Sequence, residues 1–254
     1  MDKVNHIDGL YNFRDLGGMA TESGHIAPGI LFRSEALAGL SEQGKHEMED
    51  SPVGLVLDLR SDEETQMLPD PELAGIENVH IPMLGGSMPE NESDIQSREQ
   101  AHKNAAELLH QTYMTLIAEN GEDYANIVHR TAQAAEQGKG TLIHCSAGKD
   151  RTGTSVAFIL TIAGADREQV IADYASSQAN LSGTWEANML AAIESAGVTV
   201  PDSIKPMMVI TPPELIRETL DKVESTYGSV ADFILAHGGS QEDIDTIRKV
   251  LRAQ

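Results

Sequence analysis

Apolar residues in the first 145 positions of the chain fall into four short runs, each bounded by polar or turn-forming residues. Runs of this length that are rich in β-branched side chains are typical of buried strands. The four predicted strands cover residues 30–33, 53–59, 79–82 and 141–145. Helix-like patterns lie between them, most clearly over residues 41–50 and 123–137. Because strands alternate with helices, the pattern predicts an α/β fold with a short, mostly parallel central sheet flanked by helices.

The pattern after Gly164 is helical to the end of the chain and predicts a helical C-terminal part. Asp166 is the expected N-cap of a helix that ends near Ser177, with Gln169 at the capping-box position. Pro213 marks another helix start, because proline is favoured in the first turn of a helix. The other predicted helices cover residues 185–196, 213–227, 230–237 and 241–251. We expect these helices to pack beside the sheet and part of them to cover the functional site.

Residues 84–100 are rich in Gly, Pro, Ser, Asn and acidic residues, which is typical of a mobile loop. The stretch that follows, residues 101–117, is helix-like. Together they predict a mobile, partly helical lid over about residues 84–117. The chain has no internal repeat and no clear linker, so we expect residues 1–254 to form a single domain.

The charge of the chain limits its partners. It carries 18 basic and 40 acidic side chains, for a formal net charge of -22. A field of this sign repels polyanions, which argues against nucleic acid as a partner. No apolar run is long enough to span a membrane, so we expect no integral membrane association. The N-terminus has no apolar signal segment, and a cytoplasmic location is the default expectation, with export by another route left open. The oligomeric state also stays open.

The residues that decide the functional interpretation follow the last predicted strand, where residues 144–153 read HCSAGKDRTG. Cys145, the one cysteine of the chain, stands six residues before Arg151, and a helix-like run begins near that arginine. Gly148 lets the loop curl and turn its N–H groups inward. The helix N-terminus attracts anions, and a guanidinium can bind two phosphate oxygens at once. The pattern predicts a phosphate cradle formed by Ser146, Ala147, Gly148, Lys149, Asp150 and Arg151.

A cysteine beneath such a cradle is a candidate nucleophile. The positive field is expected to favour the thiolate of Cys145, the reactive form, which then attacks phosphorus to give a phosphocysteine. Thr152 is placed to stabilise the thiolate when it leaves again. His144 either donates a hydrogen bond that fixes Cys145 or is an ordinary buried strand-end histidine. The structural alternative for Cys145 itself is a buried residue packed at a strand end.

The loop resembles that of the cysteine-dependent protein-tyrosine phosphatases, and its GKDRTG ending is similar to an atypical bacterial branch of that family. The resemblance covers most of the chain. It includes NFRDLGG at 12–18, LFRS at 31–34, LDLRS at 57–61, IADY at 171–174 and TYGS at 226–229. Members of the branch act on phosphotyrosine, often on phosphoserine or phosphothreonine, and on phosphoinositides. The resemblance therefore implies a broad-specificity phosphatase with phosphorylated proteins or phosphoinositides as substrates.

Three aspartates compete for the role of general acid, which must protonate the leaving oxygen. Asp58 lies near the end of a predicted strand and aligns with an aspartate that has a catalytic role in the resembling branch. Its structural alternative is a salt bridge to Arg60, Arg14 or Arg33. Asp150 lies in the cradle beside Arg151, and its alternative is a contact that braces the loop. Asp94 lies in the predicted mobile segment, and its alternative is a solvated surface residue.

Lys149 places a further positive charge beside the cradle, which suits a substrate with more than one phosphate, such as a phosphoinositide. Its alternative is a solvated lysine. The nine histidines form no helix-spaced pair with an acid between them, so we expect neither a metal nor another cofactor.

Three functions remain open at this stage. The first is a metal-independent phosphatase that acts through a phosphocysteine. The second is a non-catalytic phosphate-binding module on the same fold. The third is a sulfur-transferring or arsenate-reducing enzyme with a similar loop. The lack of a second cysteine argues against arsenate reduction, and sulfur transfer does not need the Arg151-Thr152 pair.

Overall fold

A computed structural model describes residues 4–83, 105–195, 197, 199–202 and 204–253 of the chain. Its strands are β1 (Arg14–Asp15), β2 (Ala20–Thr21), β3 (Gly24–Ile26), β4 (Leu31–Ser34), β5 (Val53–Asp58), β6 (Glu77–His80), β7 (Gly140–His144) and β8 (Arg252–Ala253). Five of them form the central sheet in the spatial order β1–β4–β7–β5–β6. β1 is antiparallel to β4, and the other neighbours are parallel. The predicted α/β class with a mostly parallel central sheet is confirmed.

Helices surround this sheet. In the described residues they are α1 (Glu42–Glu49), α2 (Asp62–Met67), α3 (Ala105–Glu119), α4 (Gly121–Glu136), α5 (Arg151–Ala163), α6 (Arg167–Leu181), α7 (Thr184–Ser195), α8 (Pro213–Tyr227), α9 (Val230–Ala236) and α10 (Gln241–Val250). Short 3-10 turns cover Leu37–Gly39 and Lys205–Met208. Apart from α6, which runs four residues past its predicted end at Ser177, the predicted C-terminal helices agree with these bounds to within a residue or two.

The central strands separate two apolar clusters, because successive side chains of a strand point to opposite faces. In β5, Leu55 and Leu57 belong to the larger cluster and Val56 to the smaller one. Val53 also belongs to the smaller cluster, because the pairing register with β7 shifts between Val53 and Leu55. The larger cluster includes side chains of α3 to α6 and α8 to α10, and the smaller one lies under the N-terminal segment and α1. β4, β5 and β7 were therefore recognisable as apolar runs because both of their faces are buried, whereas β6 is mostly exposed.

Several local features differ from the sequence prediction. The short helix α2 and a second sheet, in the order β2–β3–β8, were not predicted. The chain after Gly164 is therefore not wholly helical, since β8 pairs with β3. The predicted strand at 79–82 lies two residues earlier, at Glu77–His80. Gln169 does not complete a capping box: Asp166 accepts from its backbone N–H, but its side chain accepts from the N–H of Ala20.

Residues 84–104 of the predicted lid lie outside the residues that the structure describes. Residues 105–117 belong to α3, which buries Leu109, Tyr113 and Ile117 in the larger cluster. Among the helices described, none combines the length and the apolar character that crossing a membrane requires.

Candidate active site

Cys145 directly follows β7 and lies at the carboxyl edge of the parallel strands, where sheets of this kind bind ligands. The residue is only 2% exposed. Residues 145–150 connect this edge to α5, which begins at Arg151. Asp150 is the N-cap of α5, and its side chain makes no capping hydrogen bond. The N-terminus of α5 is therefore without a side-chain acceptor at its cap, which favours an anion there.

Side chains from two other segments hold the carbonyl groups of this loop. Asn12 Nδ2 donates to the carbonyl oxygens of Ala147 at 3.1 Å and Gly148 at 3.3 Å. Arg33 Nη2 donates to the Gly148 oxygen at 2.6 Å. Because these carbonyls are engaged by side-chain donors, the curl of the loop is fixed from outside.

Gly148 is the residue at which the loop turns. Its φ is +68°, and a Cβ atom built there would lie 2.0 Å from the carbonyl oxygen of Ser34. Only glycine fits this combination of left-handed backbone and close approach. Within the described part of the chain, none of the N–H groups of residues 146–150 donates to a backbone acceptor. A curled loop with unpaired N–H groups is the arrangement that binds oxyanions in proteins.

Asp173 on α6 joins the two arginines of the N-terminal motifs. Its carboxylate oxygens lie 2.6 Å from Arg14 Nε and 2.7 Å from Arg33 Nη1. Burial opposes ionisation of Asp173, but the charges of Arg14 and Arg33 outweigh it and lower the pKa of this carboxyl. Asp173 therefore holds Arg33 in the position from which it binds Gly148. Arg14 and Arg33 were candidate partners of Asp58, but Asp173 is the acid that they contact.

Arg151 is bound by Glu64 of α2. Arg151 Nη1 lies 2.6 Å from Glu64 Oε2, and Nη2 donates to Oε1 at 2.9 Å. Burial favours the neutral acid, but the hydrogen bond and charge of Arg151 lower the pKa of Glu64 to about 2. The capping box of α2 fixes Glu64, since Ser61 accepts from its N–H and its carboxylate accepts from the N–H of Ser61. The ion pair holds the guanidinium beneath the loop in one orientation.

Polar atoms near this pair keep capacity for a ligand. Glu64 Oε1 accepts a short hydrogen bond from the hydroxyl of Ser146. Arg151 Nε and the hydroxyl of Thr152 are buried and have no hydrogen-bond partner among the described residues. Buried polar groups of this kind are rare without a function or a bound partner. Thr152 and Arg151 therefore present donors close to the cradle that the protein itself does not use.

His144 lies in a buried charge cluster beneath the loop. Its Nε2 atom is 3.0 Å from Asp70 Oδ2 and 3.9 Å from Asp58 Oδ1, and its Nδ1 atom is 3.3 Å from the carbonyl oxygen of Cys145. Burial favours the neutral imidazole, but the charges of Asp70 and Asp58 outweigh it and raise the pKa of His144. The structure shows features of both alternatives for His144. Its Nδ1 atom contacts the carbonyl oxygen of Cys145, and the buried ring forms an ion pair with Asp70.

The carboxylate of Asp58 forms an ion pair with Arg60. Arg60 Nη2 lies 2.7 Å from Asp58 Oδ2, and Arg60 Nε donates to Oδ1 at 2.9 Å. Burial opposes ionisation, but the hydrogen bonds from Arg60 and the charge of His144 lower the pKa of Asp58. The salt bridge to Arg60 that the sequence analysis gave as the structural alternative is therefore present. Arg60 also lies 2.9 Å from Asp70 Oδ2, at the centre of the acids.

The oxygen and nitrogen atoms of Asp58, Asp70 and His144 lie within 4.8 Å of one another and form the kind of group that can hold a metal ion. Arg60 already contacts both carboxylates of this group. Its guanidinium supplies the positive charge that a cation would otherwise bring, so this cluster is a charge-balanced ion network.

Lys149 and Asp150 contact each other inside the cradle. Lys149 is 4% exposed, and its Nζ atom lies 3.0 Å from both carboxylate oxygens of Asp150. Tyr113 of α3 donates its hydroxyl to Asp150 Oδ1 at 2.9 Å. The solvated lysine considered in the sequence analysis is therefore not what the structure shows. Asp150 is braced by two neighbours and remains partly accessible, with 13% of its side chain exposed.

The structure brings the predicted residues of positions 144–152 together around one loop, and Asp58 lies beneath it in the cluster with His144. Asp94 lies outside the described residues. Sequence reasoning missed Asn12, Glu64, Asp70, Tyr113 and Asp173 as parts of the site. Glu64 carried a usable signal, because Ser61 and Glu64 have capping-box spacing after a predicted strand. The others reach the loop only through the tertiary fold.

The chain is similar to tyrosine phosphatases over nearly its whole length. The profile of the tyrosine phosphatase family matches residues 5–253. The triple specificity protein phosphatase PtpB of Mycobacterium tuberculosis is 27% identical over 278 residues, which cover 98% of this chain and 99% of PtpB. A protein of Cupriavidus necator named as a tyrosine-protein phosphatase is 27% identical over 232 residues, which cover 89% of this chain and 81% of the relative.

Among solved structures, the crystal structure of TpbA from P. aeruginosa covers 76% of this chain and 95% of its own, with 18% identity and a TM-score of 0.36. The match of the family profile extends over nearly the whole sequence and includes the cradle, Glu64 and Asp173. The chain therefore belongs to the tyrosine phosphatase family.

Proposed function

We propose that this protein hydrolyses phosphate monoesters through a covalent phosphocysteine on Cys145. The observation that carries the proposal is the loop between β7 and α5. It combines a buried thiol, a curl fixed by Gly148 and a guanidinium oriented by Glu64. This set supplies a nucleophile, inward N–H donors and a bidentate cation for one phosphate group.

The reaction follows from these positions. The phosphate sits in the cradle on the N–H groups and Arg151, and the thiolate of Cys145 attacks phosphorus. The S–P bond forms while the bond from phosphorus to the leaving oxygen breaks, and an acid protonates that oxygen. Water then attacks the phosphocysteine, the S–P bond breaks, and inorganic phosphate and the thiolate are released. The unpartnered hydroxyl of Thr152 is the donor that stabilises the departing thiolate.

Asp150 is the general acid in this proposal. It lies in the cradle, and 13% of its side chain is exposed, so the carboxyl can meet a leaving group. Asp58 is 4% exposed and is bound through both oxygens by Arg60, which favours its charged form. Because Asp58 is buried away from a leaving group and Asp150 is partly exposed within the cradle, the geometry favours Asp150 over Asp58.

The proposed substrates are phosphotyrosine, phosphoserine or phosphothreonine in proteins, and phosphoinositides. The name of the relative PtpB, a triple specificity protein phosphatase, supports breadth. Lys149 is proposed to bind a second phosphate of an inositol ring, exchanging its contact with Asp150 for that phosphate. Lys149→Ala is expected to lower activity on phosphoinositides more than on a phosphotyrosine peptide. The reverse order would remove Lys149 from phosphoinositide recognition.

The decisive experiment measures phosphate release by the wild-type protein and Cys145→Ser in the presence of a metal chelator. The substrates are a phosphotyrosine peptide, a phosphoserine peptide and phosphoinositide vesicles, assayed side by side. We expect release that depends on Cys145 and persists with the chelator. Retained activity in Cys145→Ser would refute the phosphocysteine mechanism.

A non-catalytic phosphate-binding module is the second candidate, because the same cradle binds an oxyanion without turnover. It predicts that vanadate or phosphate binds to the wild-type protein while none of the three substrates is hydrolysed. Binding of vanadate by both wild type and Cys145→Ser, together with release by the wild type alone, would support the enzyme over the module.

A further inference from the structure

Asp150 is linked to the helical layer by a chain of two buried tyrosines. Tyr113 on α3 is fully buried, and its hydroxyl lies 2.9 Å from Asp150 Oδ1 and 2.6 Å from the hydroxyl of Tyr174 on α6. The two rings meet edge to face, with their centroids 6.1 Å apart. Tyr174 also packs on Gly153 of the loop motif, where a Cβ atom would lie 2.9 Å from the tyrosine ring. Two helices and the cradle therefore converge on one carboxyl group.

Each tyrosine hydroxyl has one proton to donate, and this determines the order of donors and acceptors among Tyr174, Tyr113 and Asp150. Burial and the nearby charge of Asp150 raise the pKa of both Tyr113 and Tyr174, so each phenol keeps its single proton. The hydroxyl of Tyr113 donates its hydrogen bond to Asp150 Oδ1. Tyr174 then donates to Tyr113, because that oxygen can still accept. The order of donation is Tyr174 to Tyr113 to Asp150.

Tyr113 also distinguishes the two oxygens of Asp150. Lys149 Nζ lies 3.0 Å from both of them and does not favour either. Tyr113 contacts Oδ1 alone. When Oδ1 accepts from Tyr113, the proton that Asp150 transfers is carried by Oδ2. The contact therefore fixes both the rotation of the carboxyl group and the oxygen from which the proton leaves.

We propose that Tyr113 is a positioning residue that orients Asp150 for protonation of the leaving group. The inference rests on the proposed function, in which Asp150 is the general acid. In the transferring step, the proton passes from Asp150 Oδ2 to the leaving oxygen as the P–O bond breaks and the S–P bond to Cys145 forms. Asp150 is left as the carboxylate, to which Tyr113 continues to donate.

The test is the dependence of kcat/KM on the leaving group. Wild type, Tyr113→Phe, Tyr174→Phe and Asp150→Asn are assayed on 4-nitrophenyl phosphate, which has a good leaving group, and on phenyl phosphate, which has a poor one. General acid–base catalysis typically contributes roughly 10²–10⁴-fold. We expect Tyr113→Phe to lose at least about 10-fold on phenyl phosphate and less than about 3-fold on 4-nitrophenyl phosphate. Tyr174→Phe keeps the bond from Tyr113 to Asp150, so its loss is expected to be smaller.

Tyr124→Phe is the matched control. Tyr124 is also a buried tyrosine, and its hydroxyl is 2.8 Å from that of Thr154, away from the Asp150 carboxyl. Its removal is expected to change both substrates equally. Thermal unfolding of each variant verifies that the fold persists; each tyrosine substitution removes only one hydroxyl group, and Asp150→Asn keeps the size of the side chain.

The outcomes separate the inference from the proposed function. Equal losses on both substrates in Tyr113→Phe, with a selective loss in Asp150→Asn, would overturn the positioning role and leave Asp150 as the acid. An equal loss of kcat/KM on both substrates in Asp150→Asn would show that Asp150 is not the general acid and that Tyr113 has no positioning role. The phosphocysteine mechanism would still be tested separately, by phosphate release in Cys145→Ser.

Discussion

Glu64 and Arg151 form a two-bond ion pair in the interior, with contacts of 2.6 Å and 2.9 Å between carboxylate and guanidinium. Arg151 is 1% exposed and Glu64 is 6% exposed. The carboxylate takes Nη1 and Nη2 and leaves the buried Nε of Arg151 without a partner among the described atoms. Glu64 therefore both neutralises the phosphate-binding residue and determines which of its edges a ligand meets.

Replacing Glu64 by glutamine is expected to destabilise the protein and weaken anion binding. The guanidinium would remain buried without its counter-charge, which typically costs about 3–5 kcal/mol when one partner of a buried pair is removed. Chemical denaturation measures the free energy of unfolding, and titration with vanadate measures the dissociation constant.

The matched control for this variant is Glu168→Gln. Glu168 also forms two bonds with an arginine, Arg217, at 2.7 Å and 2.8 Å, but this pair lies on the surface. Exposed ion pairs contribute about 0–1 kcal/mol to stability, so the control should lose little unfolding free energy. Equal losses in the two variants would contradict the role assigned to burial.

His144 and Asp70 predict a pH dependence of stability. Burial and the charge of Arg60 lower the pKa of His144, but Asp70 and Asp58 outweigh them and raise it in the folded protein. A raised pKa means that the folded state binds the proton more tightly than the unfolded state. The stabilisation is therefore fully present below the unfolded pKa of about 6.5 and is lost as the pH rises through the folded value.

Asp70→Asn isolates this contribution. The difference in unfolding free energy between wild type and Asp70→Asn should be largest near about pH 6 and smaller near about pH 9. A residual difference should persist, because Asp70 also contacts Arg60 and the N–H of Leu37. A difference that stays constant over this range would show that His144 is not charged in the folded state.

Gly148→Ala is expected to disrupt the cradle. Its φ is +68°, and the added methyl group would lie 2.0 Å from the backbone oxygen of Ser34. The loop has to move to relieve that contact, and a displacement of about 1 Å in a catalytic site can lower activity about 100-fold. Phosphate release and unfolding free energy are the measurements.

Gly138→Ala separates backbone strain from the contact itself. Gly138 has a similar φ of +72°, but no neighbour lies within 4 Å of a Cβ built there. The left-handed backbone alone costs roughly 1–2 kcal/mol, so this control should be less stable but active. If Gly148→Ala behaved in the same way as Gly138→Ala, the close approach to Ser34 would have no functional weight.

The sequence predicted four of the five central strands and most helices from their apolar patterns, but not β1, which has only two residues. β5 and β7 are buried on both faces, so each appears as an uninterrupted apolar run. The second sheet lacked such a pattern, since its strands have two or three residues and are held by pairing between distant segments. Short strands of this kind have almost no signal of their own.

The cradle was predictable because its residues are consecutive, from Cys145 to Thr152. The residues that hold the cradle in place were harder to predict. Asp173 was noted only as part of a motif, and its pairing with Arg14 and Arg33 joins positions about 140 or more residues apart. A sequence shows which residues carry charge, but the assignment of partners among many acids and arginines is decided by the tertiary fold.

Asp58 and Asp150 give the last prediction, because both were candidates for the general acid and their surroundings differ. Asp58 is paired with Arg60 beneath the loop, and its pKa is lowered. Asp58→Asn is therefore expected to reduce stability by about 3–5 kcal/mol, as the loss of one partner of a buried pair does. Any loss of kcat/KM should be the same on 4-nitrophenyl phosphate and on phenyl phosphate. Asp150→Asn should lose selectively on phenyl phosphate, because a poor leaving group needs the proton most. If Asp58→Asn instead lost activity mainly on phenyl phosphate, Asp58 would be the proton donor, and its ion pair with Arg60 would have to open during the reaction.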